Sequence, residues 1–270
     1  MNATPDAETL LKSGDPAGAL AALQTQVRSK ASDAKLRVFL FQLLCVQGQW
    51  ERALNQLNLC AEMDAAALPM REMYTAAIGC ELVRREVFSG RKSPMLFGEP
   101  QAWLALLIES QLRAGAGEAD AATRLRAQAF EEAPATTGKI DGEAFSWIAD
   151  ADTRLGPVLE AIVNGRYYWI PFSRLTKLTI EAPTDLRDCI WLPANLQFSN
   201  GGEVLAMLPV RYPGSEASSD GLIALSRKTV WEESADGGYH GLGQRLLGTD
   251  NGEYPLLQVR EILFDTSPET

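Results

Sequence analysis

His240 is the only histidine in this 270-residue chain, and Cys45, Cys60, Cys80 and Cys189 are its only cysteines. A histidine-based triad or a His-rich metal site must therefore centre on the loop Gly237-Gly-Tyr-His-Gly-Leu-Gly243. Nothing in the surrounding sequence completes one. The chain has no Gly-x-Ser-x-Gly, no His-Glu-x-x-His and no Walker A sequence, and Gly241-Leu-Gly243-Gln-Arg-Leu246 lacks the third glycine of a dinucleotide loop. Asp150-Ala-Asp152 could form a carboxylate pair for a metal, but capping of a following helix accounts for both residues. The cysteines have no CxxC spacing, so they read as reduced core thiols. No cofactor and no metal is expected.

The remaining chemistry-bearing residues are aromatic and guanidinium groups: Arg166, Tyr167, Tyr168, Trp169, Phe172, Arg187, Trp191, Arg211 and Tyr212. Tyr, Trp and Arg anchor protein interfaces, and the same residues also fill cores. The functional reading places at least some of them on one concave surface that anchors a partner, whereas the plain reading buries them.

The elements that must position these groups fall into two halves. In the first, Gly14-Asp-Pro-Ala-Gly-Ala19-Leu20-Ala-Ala-Leu23 aligns with Gly48-Gln-Trp-Glu-Arg-Ala53-Leu54-Asn-Gln-Leu57 at a shift of 34 residues. That is the tetratricopeptide period, and it predicts two helical hairpins with small Ala19 and Ala53 at the close contacts. A degenerate third copy at a further 68 residues uses Ala121, Ala122 and Leu125, with Ala116 in the glycine position. A divergent helix from about 68 to 88 and another around Trp103 should complete the array. The loop Ser93–Pro100 is apolar enough to be tucked into the core. Domains are expected at 1–135, helical and tetratricopeptide-like, and at 136–270, α+β with an antiparallel and partly barrel-like sheet.

In the second half, Asp150 and Asp152 are expected to cap a helix over Leu155–Val163 that exits at Asn164-Gly165. Strands are expected at Arg166–Phe172, Leu175–Glu181, Cys189–Phe198, Glu203–Tyr212 and Tyr254–Phe264, with a hairpin turn at Ser199–Gly202. In the first of these, Tyr167 and Trp169 face one side, and Arg166, Tyr168 and Ile170 the other.

Composition limits the partners. The net charge is -10, and it is uneven: residues 1–135 carry 14 Lys+Arg against 16 Asp+Glu, and residues 136–270 carry 11 against 19. With no basic run, nucleic acid and anionic membrane surfaces are excluded as expected partners, and a basic protein partner suits the acidic second half. The start MNATPDAETLLKSGDP has no export signal, and no apolar run approaches the roughly 18 residues of a membrane span, so a soluble cytoplasmic protein is expected.

A series of blocks runs in order along the chain: Phe97-Gly-Glu-Pro-Gln-Ala-Trp103, Asp150-Ala-Asp-Thr-Arg-Leu-Gly-Pro-Val-Leu-Glu160, Asn164-Gly-Arg-Tyr-Tyr-Trp169-Ile-Pro-Phe172, Ala182-Pro-Thr-Asp-Leu-Arg-Asp188, Pro209-Val-Arg-Tyr-Pro-Gly-Ser-Glu216, Gly241-Leu-Gly-Gln-Arg-Leu-Leu247 and Gly252-Glu-Tyr-Pro-Leu256. In this order the series resembles the ImpE family, also called TagJ or SciE-type. The resemblance implies a helical N-terminal part, an α+β C-terminal part, and an accessory role in bacterial type VI secretion. It further implies binding to the N-terminal helix of the small contractile-sheath subunit, association with the ClpV disaggregase, and no catalytic residues. Two other function classes stay open on the residues alone: an enzyme of unknown chemistry using the His240 loop, and an unrelated repeat-type interaction module.

Overall fold

The computed structural model describes residues 6–266, so the outer ends of the two expected domains, 1–5 and 267–270, lie outside the described residues. Four helices stop in the same way. Gly14, Gly48, Gly90 and Gly117 have φ of 83°, 63°, 69° and 80°, the left-handed conformation that favours glycine. At Gly48 the glycine amide donates to the Cys45 carbonyl at 3.1 Å and the next amide, of Gln49, reaches back to Leu44 at 2.9 Å. The other three repeat this pattern. They end α1 (Ala7–Lys12), α3 (Ala34–Val46), α5 (Leu68–Phe88) and α6 (Ala102–Gly115). Between and after them lie α2 (Pro16–Ser29), α4 (Trp50–Met63) and α7 (Ala119–Glu132).

The structure corrects the third repeat copy by one residue. Gly117, not Ala116, is the terminating residue, so Ala122 is the counterpart of Ala19 and Ala53, and all three are fully buried. The position equivalent to Leu23 and Leu57 is then Arg126. It is buried because it pairs with Asp236 of a loop in the second half, and not with a further helix. The repeat pattern fades where the helices turn to meet the sheet.

A nine-stranded open sheet, built from the second half except for its edge strand β1, runs in the order β1-β6-β5-β9-β8-β7-β14-β2-β3. Its members are β1 (Met95–Leu96), β2 (Gly138–Ile140), β3 (Glu143–Phe145), β5 (Val158–Val163), β6 (Arg166–Pro171), β7 (Leu175–Ile180), β8 (Trp191–Phe198), β9 (Glu203–Pro209) and β14 (Glu261–Phe264). Every pairing is antiparallel except β1 with β6. A smaller sheet joins β4 (Ile148–Asp150), β12 (Leu246–Thr249) and β13 (Gly252–Pro255). A hairpin pairs β10 (Thr229–Glu233) with β11 (Tyr239–Gly243), and a four-residue helix α8 (Gly221–Ala224) precedes it. The fold is α+β.

Residues alternate across the large sheet as the pleat requires. Leu159, Ala161, Val163, Ile170, Leu178, Leu192 and Leu208 point into a core closed by Ile140, Leu247, Ile262 and Phe264. On the other face Val158, Ile162, Tyr167, Trp169 and Trp191 belong to the same apolar cluster as Leu23, Leu43, Leu57, Ile78 and Leu107 of the helices. The helical half therefore has no separate core, and the sheet fills its open side.

Three expectations about local structure are corrected. Residues 155–163 do not form a helix. Gly156 has φ +55°, the Asp150 amide donates to its carbonyl at 2.6 Å, and Val158–Val163 is a strand paired with both β6 and β9. A central strand buried on both faces reads as a continuous apolar run, which periodicity cannot distinguish from a buried helix. Asn164-Gly165, with φ of 49° and 72°, is then the two-residue turn of the β5–β6 hairpin, not a helix exit. The expected strand 254–264 is two strands, β13 and β14, in different sheets. The apolar loop at 93–100 is only partly tucked in: Met95 is exposed, while Phe97 stacks on Phe198 at 4.4 Å between ring centres.

Candidate functional site

Glu160 stands alone among apolar residues in β5, on the helix-facing side. A carboxylate in the middle of a buried strand must find cations or be neutral. It finds two. Arg84 of α5 donates from Nε at 2.6 Å and from Nη2 at 2.9 Å, and Arg245, on the approach to β12, donates from Nη2. Tyr167 donates its hydroxyl proton to the same carboxylate and receives the Trp169 indole N–H at 2.7 Å. Burial alone would raise the Glu160 pKa, but Arg245 and Arg84 outweigh it and hold the carboxyl down at about 2.

Arg245 continues the network to Asp150, whose other oxygen accepts from Tyr212 Oη at 3.0 Å and from the Asp152 amide at 2.9 Å. Burial pushes the Asp150 carboxyl up to about 6, against the pull of Arg245. Arg211 works differently: its guanidinium caps the end of α3 by donating to the carbonyls of Cys45 at 2.9 Å and Val46 at 2.7 Å, and also to Ala224 at 2.7 Å. Its own carbonyl accepts from Arg84 at 2.8 Å. This closed set of charges ties α3 and α5 to the sheet. With its charged side chains almost wholly buried and paired, its geometry is that of a structural clamp.

Most of the nine residues expected to anchor a partner belong to this interior. Tyr167, Trp169, Phe172, Trp191, Arg211 and Tyr212 are buried, so the expectation of one exposed aromatic surface is corrected for these six. Trp191 lies 6.0 Å from Trp50 and 5.7 Å from Tyr74, ring to ring, and donates to Glu81 at 2.9 Å. Phe172 packs on Phe264 on the opposite face of the sheet. Arg166 is exposed, while Tyr168 and Arg187 are half-buried; Arg187 covers the Tyr74 ring at 5.0 Å. The physical reason is the sheet itself: it must cover the helices, and its largest side chains do so.

Asp150 and Asp152 do not cap a helix. Asp152 accepts from Arg154 Nε at 2.8 Å and from the Gly241 amide at 2.9 Å. The two glycines that follow His240 are steric requirements, since a Cβ on Gly241 would lie 2.2 Å from the Tyr212 ring and one on Gly243 1.8 Å from the Lys228 carbonyl oxygen. His240 is half-buried in β11 opposite Glu232, and its Nε2 has no hydrogen-bond partner among the described residues. Burial, then Arg154, lowers its pKa. The neighbouring carboxylates Asp152 and Asp236 are already engaged by Arg154 and Arg126, so no nucleophile–base–orienter set is assembled. Among the described residues no group of three His, Cys, Asp or Glu side chains is placed to hold a metal. Burial raises the Cys45, Cys60, Cys80 and Cys189 thiols, away from reactive thiolates.

Sequence reasoning missed the features with most bearing on function. Glu160 was legible as the one charge inside an apolar strand. The open concavities were not, because they are defined by what the helices leave uncovered. One, of about 280 Å³, lies between Phe130 and Trp147. A second lies between α1, α3 and the 184–186 loop, with Leu36 and Phe39 in its wall. A third, of about 640 Å³, lies beside α5 on the helix-facing side of β7–β9, where the helices stop short of the strand ends.

Among the described residues no helix is long and apolar enough to cross a membrane. The ImpE protein family model matches residues 142–263. The type VI secretion system accessory component TagJ of Pseudomonas aeruginosa is 52% identical over 259 residues, covering 96% of this chain and 91% of that protein. The crystal structure of protein VPA1032 from Vibrio parahaemolyticus superposes with a TM-score of 0.87 at 23% identity, covering 97% of this chain and 98% of that one. At that identity the superposition speaks for the fold. Identity above half along nearly the whole length speaks for descent, and the chain belongs to the ImpE family.

Proposed function

We propose that this chain is a non-enzymatic, cytoplasmic accessory protein of bacterial type VI secretion, which binds the N-terminal helix of the small contractile-sheath subunit and links it to the ClpV-type AAA+ disaggregase. The observation that carries this reading is the 52% identity to TagJ of Pseudomonas aeruginosa over 96% of the chain. The committed, solvent-free charge network and the absence of an assembled catalytic set near His240 support a binding role over a chemical one. The acidic second half suits a partner segment that carries basic residues.

The mechanism is tethering. A protein that holds a sheath terminus and the ATPase together raises the effective concentration of sheath at the unfolding machine without contributing to the unfolding chemistry. A reconstitution tests it, with the purified chain immobilised and offered the sheath subunit pair, with and without the small subunit's N-terminal helix, and ClpV. Retention of sheath subunits that depends on that helix, and retention of ClpV, are expected. Sheath capture indifferent to deletion of the helix, or no capture at all, refutes the reading.

A further inference from the structure

Strand β10 has an open outer edge. Its register in the hairpin sets Val230 and Glu232 opposite Leu242 and His240. The ladder continues at both ends, from the Gln244 amide to the Lys228 carbonyl at 3.1 Å and from the Ser234 amide to the Gly238 carbonyl at 2.8 Å. Even-numbered residues therefore turn their backbone groups into the hairpin, and Thr229, Trp231 and Glu233 turn theirs outward. Among the described residues these outward groups meet no other backbone. The opposite edge of the hairpin is closed: the Thr153 amide donates to the Tyr239 carbonyl at 3.1 Å, the Gly241 amide to Asp152 at 2.9 Å and the Tyr212 amide to the Gly243 carbonyl at 2.9 Å.

Other strand edges are blunted. β1, β3 and β4 have two or three residues, and β13 ends in Pro255; short edges and prolines protect a sheet from strand addition. β10 has five residues and no proline, and its Glu232 and Glu233 are exposed.

The sequence of this edge is complementary to itself in the antiparallel sense. Arg227-Lys-Thr-Val-Trp-Glu-Glu233 carries two cations at one end and two carboxylates at the other. Within the chain they do not meet. Lys228 is held by Asp220 at 2.9 Å, Arg227 donates to the Leu11 carbonyl at 2.7 Å, and Glu232 and Glu233 form no ion pair among the described residues. A second copy laid antiparallel, with Val230 opposite Val230, sets Lys228 of each copy opposite Glu232 of the other and Arg227 opposite Glu233, about one twofold axis. The same register pairs Thr229 with Trp231, so the outward backbone groups satisfy one another as hydrogen-bonded pairs. Lys228, Val230 and Glu232 then take the non-hydrogen-bonded positions, where facing side chains come closest. A slip of two residues would set Lys228 opposite Ser234 and lose this charge pairing. Trp231 keeps its place against the Tyr212 ring, 5.6 Å away.

We propose that this chain forms a twofold homodimer by antiparallel addition of β10 to β10 of a second copy, in the register centred on Val230. Two chains of net charge -10 repel one another at long range. At physiological salt that repulsion is screened beyond about 8 Å, while the facing pairs of the seam lie in contact. The pairing is independent of any sheath or ATPase contact. It presents every surface of the chain twice, which makes an accessory protein bivalent.

Sedimentation equilibrium of the full chain at physiological salt tests it, on the wild type, on Lys228→Glu, on Glu232→Lys, on the charge-exchanged double variant Lys228→Glu/Glu232→Lys, and on an equimolar mixture of the two single variants. Both side chains lie at the surface, so every variant should keep the wild-type circular dichroism spectrum and melting temperature. The wild type should sediment as a concentration-dependent mixture of monomer and dimer, and amide hydrogen exchange at Thr229 and Trp231 should slow as the dimer forms. Each single reversal turns two symmetry-related pairs repulsive and should weaken the dimer about tenfold. The double variant restores both pairs and should recover the wild-type dissociation constant. The mixture should dimerise more tightly than either single variant alone, because an all-acidic edge then meets an all-basic one. A wild type that stays monomeric up to about 1 mM overturns the proposal. So does a dimer that the single reversals leave unchanged, which places the interface elsewhere. Weakening in the single variants with no recovery in the double variant or the mixture also overturns it, because the charges then do not face each other across a seam.

Discussion

Replacing Glu160 with Gln tests whether the helices and the sheet are held as one unit. The change keeps shape and one acceptor oxygen but removes the charge that Arg84 and Arg245 share. Each tenfold in proton affinity is about 1.4 kcal/mol, so the fall of the Glu160 pKa from the ordinary 4.5 to about 2 is worth roughly 3 kcal/mol in favour of the folded carboxylate. Removing one member of a buried ion pair costs about 3–5 kcal/mol in general, because the partner charges stay buried. With a urea slope of about 3 kcal/mol per molar for a chain of this size, the unfolding midpoint should fall by about 1 M or more. Tryptophan fluorescence reads the transition, since Trp169 and Trp191 lie in the shared core. The sign of the pH dependence follows from the depressed pKa. The stabilisation is fully present above about pH 4.5 and is lost as pH falls from there toward 2, so the gap between wild type and Glu160→Gln should close over that window. A triple replacement, Glu160→Leu with Arg84→Met and Arg245→Met, should recover much of the loss by removing the unpaired charges as well. A midpoint shift under about 0.3 M for Glu160→Gln, or a gap constant from pH 7 to pH 3, would refute the assignment of this network as the clamp.

Asp150 should act in the opposite direction: with its folded pKa at about 6, above the ordinary 3.8, its contribution to stability falls as pH rises from about 4 through 6, and Asp150→Asn should flatten that decline in urea titrations at stepped pH. Arg211→Met leaves the carbonyls of Cys45, Val46 and Ala224 without their donor, and thermal unfolding should show a loss of about 2–4 kcal/mol. A fragment of residues 1–135 lacks the Trp169 and Trp191 side of its core; it should unfold with low cooperativity and at a lower temperature than the whole chain, and an equal melting temperature would show the helical half to be self-sufficient. Gly241→Ala sets a methyl against the Tyr212 ring and should cost about 1–3 kcal/mol by the same measurement.

The sequence by itself determined the two repeated hairpins of the first half, their glycine stops Gly14 and Gly48 and the small Ala19 and Ala53 at their crossings, because a helix repeats its contacts every few residues and a hairpin repeats them every 34. It also carried the Ser199–Gly202 hairpin and the alternation of Tyr167 and Trp169 against Tyr168 and Ile170, which local backbone geometry fixes. The tertiary structure alone decided that Val158–Val163 is a strand, since only its pairing with β6 and β9 distinguishes a buried strand from a buried helix. It decided that Gly117 and Ala122 set the third repeat, because Arg126 there answers to Asp236, more than a hundred residues away in sequence. The same holds for the aromatic and arginine residues. Their chemistry suits an interface, but whether a Trp is an anchor or a core residue depends on what lies over it, and α5 lies over Trp191 and Trp169 while leaving Leu205 open. Residue type is written locally, but coverage depends on contacts between distant parts of the chain, and coverage separates the buried clamp from the open groove.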